Sequence, residues 1–473
     1  MDSNNTADSS RHTGSRVTGR TMDGRAFDGW LTHFQPESLV FELSAPQQVL
    51  RSTEVIPELQ AIVEGREVYS GRATIRGFVD EGISQRCEAT LETDWSETAF
   101  WEPSDDPSRF KAECDRFLTR WSDSCQILPE FKLLLTNMRL LLQEFRLWID
   151  KLSGGLRALP VAERETAERR LIQNLAASFI PSFNYLFEKF EIIAAQIPPD
   201  RKAVHHSHVK QQLHPLLMCS PFAWRTYAKP LGYAGDYEMV NMILKDGAVG
   251  ETLFARVLNA WFISQPPAEA HRNRISVLQQ MLEQEAVRVG TQGRRLKVLN
   301  LGCGPAIEIQ RFLAASALSE RVDFTLLDFN DETLAYTKQV LGECARQHRR
   351  SLSVDFIKKS VVQLLKGGER TGLANDYDIV YCAGLYDYLP DRICRQLNSI
   401  YHGLLGSGGM LMVTNVDASN PIQHMLDYVL EWHLIYRNAA QFRALAPTEA
   451  DAEQVRVYAD ITGVNIFMEV RRS

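Results

Sequence analysis

Three patterns of apolar and polar positions follow one another along this chain. LVFEL (39–43), REVYSGRATIRGFV (66–79) and RCEATLE (86–92) are β-rich or alternating, with glycines between them. They predict a small β-domain over 15–105, a barrel or sandwich. The polar residues 1–14 ahead of it read as a disordered tail. Near Pro107 the period changes. RFLTRWSDSCQILPEFKLLLTNMRLLLQEFRLWIDKL and AERRLIQNLAASFIPSFNYLFEKFEIIAAQI carry apolar residues at three- and four-residue spacing. This predicts a helical domain over 106–200 whose apolar stripes pack on each other. Residues 201–290 begin with histidines, aromatics and the run KPLGYAGDYEM, which follow no simple period, and continue into two helices near 249–264 and 268–288. They read as a helical and loop segment for a lid and a substrate. From 291 to 473 strands and helices alternate, the signature of a Rossmann-like α/β domain.

Composition narrows the classes. Of 473 residues, 45% are hydrophobic and 23% charged, ordinary for a globular chain. The net charge of -7 argues against a dedicated nucleic-acid partner. No apolar run approaches the roughly 20 residues that span a bilayer, and the N-terminal MDSNNTADSSRHTGSR holds no signal-peptide core. The eight cysteines include no C-x-x-C pair and read as free thiols in the cytoplasm. His205, His206, His208 and His214 have no carboxylate or cysteine at ligand spacing, so no metal is expected; a solvated loop and helix start explains them.

The strongest chemical signal is LKVLNLGCGPAIEIQRFLAA (296–315). Leu296 to Leu301 form a buried strand, Gly302-Cys303-Gly304-Pro305-Ala306 the turn, and Ile307 onwards a helix. The glycines let the backbone approach a ligand, and the helix N-terminus offers unpaired N–H groups. Asp328, with Phe329 after it, ends the next strand, some 25 residues on, where an acid can take the hydroxyls of a ribose. The full G-x-G-x-x-G fingerprint of dehydrogenases is absent, because Ile307 stands where its third glycine belongs.

The G-C-G-P turn resembles the nucleotide loop of class I S-adenosylmethionine (SAM)-dependent methyltransferases. That resemblance implies SAM as cofactor, with the helix N-terminus facing its methionine carboxylate. Glu308 then binds the methionine ammonium or simply complements the helix dipole. It also places Ser360 and Val361 at the adenine and Ala383-Gly384-Leu385 over the methyl donor. VRVYADITGVNIFMEVRR (455–472), split at Thr462-Gly463, matches the antiparallel terminal hairpin that sets methyltransferases apart from dehydrogenases.

A narrower resemblance rests on WRTYAKPLGYAGDYEMVNMI (224–243), AHRNRI (270–275), LNLGCGPAIEI (299–309), CAGLYDYLPD (382–391) and EWHLIYR (431–437). These are similar to bacterial proteins of 3-hydroxypalmitic acid methyl ester biosynthesis, which make a volatile signal. The resemblance implies methylation of a 3-hydroxy fatty acid carboxylate, free or carrier-bound. Such an acceptor is already ionised and needs no base. It needs a group to hold the carboxylate and an apolar channel. Candidate holders are Arg225, Tyr227, Lys229, Tyr233, Arg272, Arg274, Tyr386, Tyr388, His424, His433 and Arg437, with Tyr233, Tyr386 and Arg437 favoured. The run GYAGDY (232–237) reads as a lid, with Tyr233 or Asp236 on the donor, or as a turn into a helix. A hydroxyl or amine acceptor would need a base, for which His424 and His433 are the first suspects. A SAM-binding regulator without turnover is the non-enzymatic alternative. A homodimer is compatible with the sequence. Finally, Arg16-Val17-Thr18-Gly19-Arg20 resembles the start of PilZ domains, which bind cyclic di-GMP, but the partner motif is missing at Thr32–Ser38; a PilZ-like fold fits, and nucleotide binding does not.

Overall fold

The computed structural model describes residues 15–35, 38–43, 50–63, 66–80, 85–92, 126–245, 247–367 and 373–473, with a few single residues between 110 and 122. The predicted tail over 1–14 lies outside the described residues. The chain forms two compact units. One comprises Met1–Arg139, Ile192–Pro215 and Lys229–Tyr233; the other comprises Leu140–Glu191, Leu216–Ala228 and Ala234–Ser473.

The first unit holds a closed barrel of strands β1 (Arg16–Arg20), β2 (Ala26–Gln35), β3 (Ser38–Leu43), β4 (Val55–Val63), β5 (Arg66–Asp80) and β6 (Gln85–Leu91), in the order β1-β2-β3-β6-β5-β4. β1 pairs antiparallel with both β2 and β4, which closes the barrel and leaves no edge strand. Val17, Phe41, Ile56, Leu59, Ile75 and Cys87 fill its interior. The two arginines of the R-x-x-x-R motif have local partners. Arg16 lies over the Trp30 ring at 4.8 Å, and Arg20 donates to the Gly24 carbonyl.

The helices are α1 (Pro129–Arg157), α2 (Val161–Ala194), α3 (Lys202–Leu217), α4 (Pro221–Ala228), α5 (Tyr237–Leu244), α6 (Leu253–Ile263) and α7 (Pro266–Gly290). The histidine-rich stretch is helix α3, and solvation does not explain it. His205 and His206 are buried; His205 Nε2 accepts from the Leu128 amide, and His206 pairs with Arg76. α3 has almost no amphipathic periodicity, which is why sequence spacing does not announce it. Among the described residues no helix is long and apolar enough to cross a membrane.

In the second unit, Phe145 of α1 stacks on Phe179 of α2 with ring centroids 3.8 Å apart. The α2 stripe then continues onto other partners. Phe183 and Phe187 pack on Trp261 of α6, and Phe190 packs on Tyr428 of a later helix. Residues 140–191 therefore share a compact unit with the α/β sheet and do not stand apart from it.

That sheet comprises β7 (Leu296–Leu301), β8 (Val322–Asp328), β9 (Ser353–Lys358), β10 (Tyr377–Cys382), β11 (Leu405–Val416), β12 (Val455–Ala459) and β13 (Asn465–Arg471). Its order is β12-β13-β11-β10-β7-β8-β9. β7 to β11 run parallel, and β13 inserts antiparallel between β11 and β12. Helices α8 (Ile307–Ala315), α9 (Asp331–Gln347), α10 (Val361–Gly367), α11 (Asp391–Leu404), α12 (Gln423–Leu430) and α13 (Ala439–Arg443) complete the unit. β10 is buried along its whole length, as a central strand covered on both faces must be. The strand order reverses between β7 and β10, which opens a crevice at their carboxyl ends.

Candidate active site

The crevice holds a cleft of about 1000 Å³ including its open mouth. The glycine loop forms one wall. Gly302, Gly304 and Ala306 all have positive φ (64°, 49° and 48°). Ala306 has a Cβ to accommodate, so its left-handed conformation costs about 1–2 kcal/mol. Ala306 also precedes α8 with no side-chain cap, so the first amides of the helix remain available as donors. The loop is braced from behind. Cys303 N donates to Leu327 O, Thr337 Oγ1 donates to Gly304 O, and Gly304 N lies 3.4 Å from Asp328 Oδ2. Asp328 is thereby fixed at the end of β8 beside the loop.

Glu308 lines the cleft from the first turn of α8. Its Oε1 accepts from Tyr381 Oη at 2.7 Å and from Asn300 Nδ2 at 3.3 Å, and Asn300 also donates to Tyr381 Oη at 2.8 Å. Burial pushes the Glu308 carboxyl upward; the Tyr381 hydrogen bond and the Arg274 charge pull it back. Arg274 faces the cleft from α7. Its Nη2 lies 2.9 Å from His271 Nδ1. Burial pushes the His271 ring well below its ordinary value, so the ring is neutral and serves as an acceptor. Burial likewise lowers the Arg274 guanidinium, against the opposing charge of Asp387. Neither Arg274 nor Glu308 has an opposite charge within ion-pair distance among the described residues. Gly384, at the end of β10, has φ 89°, and a Cβ there would come within 3.0 Å of the Arg274 guanidinium. With that positive φ and the guanidinium so near, glycine is the residue that leaves Arg274 undisturbed.

Asp387 also lines the cleft. Its Oδ1 accepts from Val416 N at 2.7 Å. Burial raises its carboxyl, against the Val416 amide and the charges of Arg274 and Arg437. The roof is Tyr388, whose Oη accepts from Trp432 Nε1 at 2.9 Å. Gly235 (φ 81°) lies so close that a Cβ would stand 2.8 Å from that Oη.

The structure divides the expected site residues. Gly302, Cys303, Gly304, Pro305, Glu308, Ala383 and Gly384 line the cleft. Asp328 flanks it, while Phe329, Ser360, Val361 and Leu385 are not among its lining residues. Three of the four residues expected to be catalytic serve the architecture. Tyr386 is enclosed and donates to Asn398 Oδ1. Arg437 is buried and donates to Tyr386 O, Leu389 O, Asn415 and Asp391, clamping the loop after β10. His433 is buried against Asp427, while its neighbours Trp432 and Leu434 enter the cleft. Tyr233, like Lys229, falls in the first unit. Asp236 caps α5 at Met239 N and pairs with Arg225, so it is a turn into a helix; Gly235 alone of that run reaches the cleft. Arg272 is spent on Glu269 and the carbonyls of Ile243 and Ile263. His424, the other expected base, does not line the cleft either; its backbone N–H donates to Glu191. Sequence spacing missed His271, Asn300, Tyr381, Asp387 and Trp432. The one available signal was the i, i+3 spacing of His271 and Arg274, which shares a helix face.

A second, smaller apolar pocket, about 350 Å³ including its open mouth, adjoins the cleft, walled by Phe222, Ile243, Phe262, Ala268, Met425 and Leu430. Pro267, His271, Leu426 and Trp432 belong to both cavities.

The parallel sheet closed by an antiparallel hairpin is decisive for the fold. It is the fold of a Rossmann-like methyltransferase domain. No family model matches the chain, and no curated protein matches it significantly. Solved structures do resemble it. A possible exported protein of Bordetella parapertussis is 15% identical, over 64% of this chain and 96% of its own, with a TM-score of 0.40. Magnesium protoporphyrin IX methyltransferase of Synechocystis PCC 6803, solved with bound SAH, is 14% identical over 53% and 98%, with a TM-score of 0.34. An O-methyltransferase family protein of Burkholderia thailandensis is 16% identical over 57% and 71%, with a TM-score of 0.32. At these scores they assign no activity to this chain.

Proposed function

We propose that this protein is a SAM-dependent O-methyltransferase acting on the carboxylate of an acyl substrate, a 3-hydroxy fatty acid. The observation that carries the proposal is one cleft holding a glycine loop and two charges without counter-ions, Glu308 and Arg274, and sharing a wall with an apolar pocket. The residues fit SAM. The uncapped start of α8 suits its carboxylate, Glu308 its ammonium, and Asp328 its ribose. When bound, SAM supplies an electrophilic methyl on a positively charged sulfur.

Arg274, above Gly384, holds the acceptor carboxylate as a two-pronged donor. The apolar pocket takes the chain. An acceptor oxygen lone pair forms the new O–CH3 bond as the C–S bond breaks, and its electrons remain on sulfur. No proton leaves, so no base is needed. Catalysis is alignment and exclusion of water, under the Tyr388–Trp432 roof. Charge balance supports a protonated Asp387. Glu308, Arg274, the single net positive charge of SAM and one acceptor carboxylate then sum to zero. The test is turnover of purified protein with SAM and a chain-length series of 3-hydroxy acids, read as methyl ester and S-adenosylhomocysteine (SAH). If the protein binds neither SAM nor SAH, the proposal falls.

Asp387 also motivates a second reading, a hydroxyl or amine acceptor with Asp387 ionised as base. Asp387→Asn separates the two. A neutral isostere keeps the Val416 contact and spares methylation of a carboxylate, whereas loss of a base costs about 10²- to 10⁴-fold. In the carboxylate reading, wild-type activity declines as pH rises through the Asp387 pKa, and the asparagine variant loses that decline.

A further inference from the structure

We infer that α1 carries a self-association surface, and that its occupant is a second copy of this chain packed antiparallel about Leu140. The buried face of α1 is unambiguous: Phe131, Leu135, Met138, Leu142 and Ile149 are all fully enclosed. The opposite face should then be polar. Instead it bears Leu133, Leu140 and Leu147, exposed by 62%, 48% and 59%, with Trp148 beside them at 50%. Single exposed leucines need no explanation. Three at seven-residue spacing form one straight ridge about 21 Å long, drifting only about 20° per step.

The charges around the ridge specify the partner. Glu130 and Lys132 flank its beginning, and Asp150 and Lys151 its end. All four are exposed, and none forms an ion pair among the described residues. Antiparallel pairing with Leu140 on the two-fold axis sets Leu133 against the partner's Leu147. The same register brings Lys132 beside the partner's Asp150, and Glu130 beside the partner's Lys151. Each contact occurs twice, as an isologous interface requires. The charges at the two ends of the ridge are thus complementary to their own reverse.

The test uses the full chain. Sedimentation velocity of wild type should show a concentration-dependent dimer, and Leu140→Glu should shift it to monomer with the helical circular dichroism unchanged, since Leu140 is half exposed. Under mild oxidation, Leu140→Cys should form a linked dimer well above the wild-type background. Leu133→Cys should link only when Leu147→Cys is also present. A wild-type monomer at tens of micromolar would overturn the inference, whether the ridge is covered by another segment of this chain or by a different partner. So would a dimer that survives Leu140→Glu. Self-linking of Leu133→Cys alone would mean parallel pairing and would overturn the antiparallel assignment.

Discussion

Arg274→Gln is the perturbation that most directly tests the division of labour in the cleft. The guanidinium leans on the neutral His271 ring and lies against Gly384, with no carboxylate in ion-pair range. Glutamine keeps most of the side chain's bulk and removes the charge. An acceptor carboxylate would then enter a cleft that still presents Glu308, with no cationic side chain to hold it. Losing one partner of a buried, hydrogen-bonded charge pair costs about 2–5 kcal/mol. This cleft has an open mouth, so the lower part of that range applies. At about 1.4 kcal/mol per decade, kcat/KM for the acceptor should fall about 30- to 300-fold. The SAH Kd should move less than about threefold, because Glu308 and the glycine loop are untouched. Arg274→Lys should recover part of the loss, since it restores the charge but not the planar fork. The assay is steady-state kinetics at saturating SAM, paired with calorimetric titration of SAH. If Arg274→Gln weakens SAH more than about tenfold while acceptor kinetics hold, the arginine belongs to the cofactor and the assignment is wrong.

Glu308→Gln should act on the other partner: loss of a charge-assisted contact worth about 1.5–3 kcal/mol weakens SAH about 10- to 150-fold by calorimetry. Ala268→Leu should narrow the apolar pocket, lowering kcat/KM for long acyl chains more than for short ones with SAH binding intact; a uniform loss would refute a chain-binding role. Glu191 accepts from the His424 and Met425 amides at the start of α12, and burial raises its carboxyl to about 7. The unfolded chain ionises first as pH rises, so wild type loses stability between about pH 4.5 and 7, by at most about 1.4 kcal/mol per pH unit. The stability of Glu191→Gln relative to wild type should therefore improve from pH 5 to pH 8 in chemical denaturation, and a flat difference would contradict the burial of that carboxyl.

What the sequence determined by itself is local. The glycine loop was legible because positive φ at Gly302 and Gly304 restricts residue choice at those positions. The acid at Asp328 was legible because it ends a short apolar strand a fixed distance on. The terminal hairpin announced itself through two β-rich runs parted at Thr462-Gly463. Each signal is carried by neighbours in the chain.

The ownership of polar side chains was decided only by tertiary structure. Arg225, Arg272, Arg274 and Arg437 are equivalent on paper, and three of them are consumed by Asp236, by Glu269 with two carbonyls, and by the loop after β10. Arg274 is left facing the cleft because Gly384 makes room for it. Tyr386 and Tyr388 sit two residues apart on one short turn, yet one is sealed against Asn398 and the other roofs the cleft. Helix α3 escaped detection because its one buried side carries His205 and His206 among Val209, Leu213, Leu216 and Leu217, which erases the apolar stripe that spacing can reveal. Sequence periodicity reports a segment's own geometry, whereas the charge a cleft presents depends on which partners the rest of the chain brings within about 4 Å of each side chain.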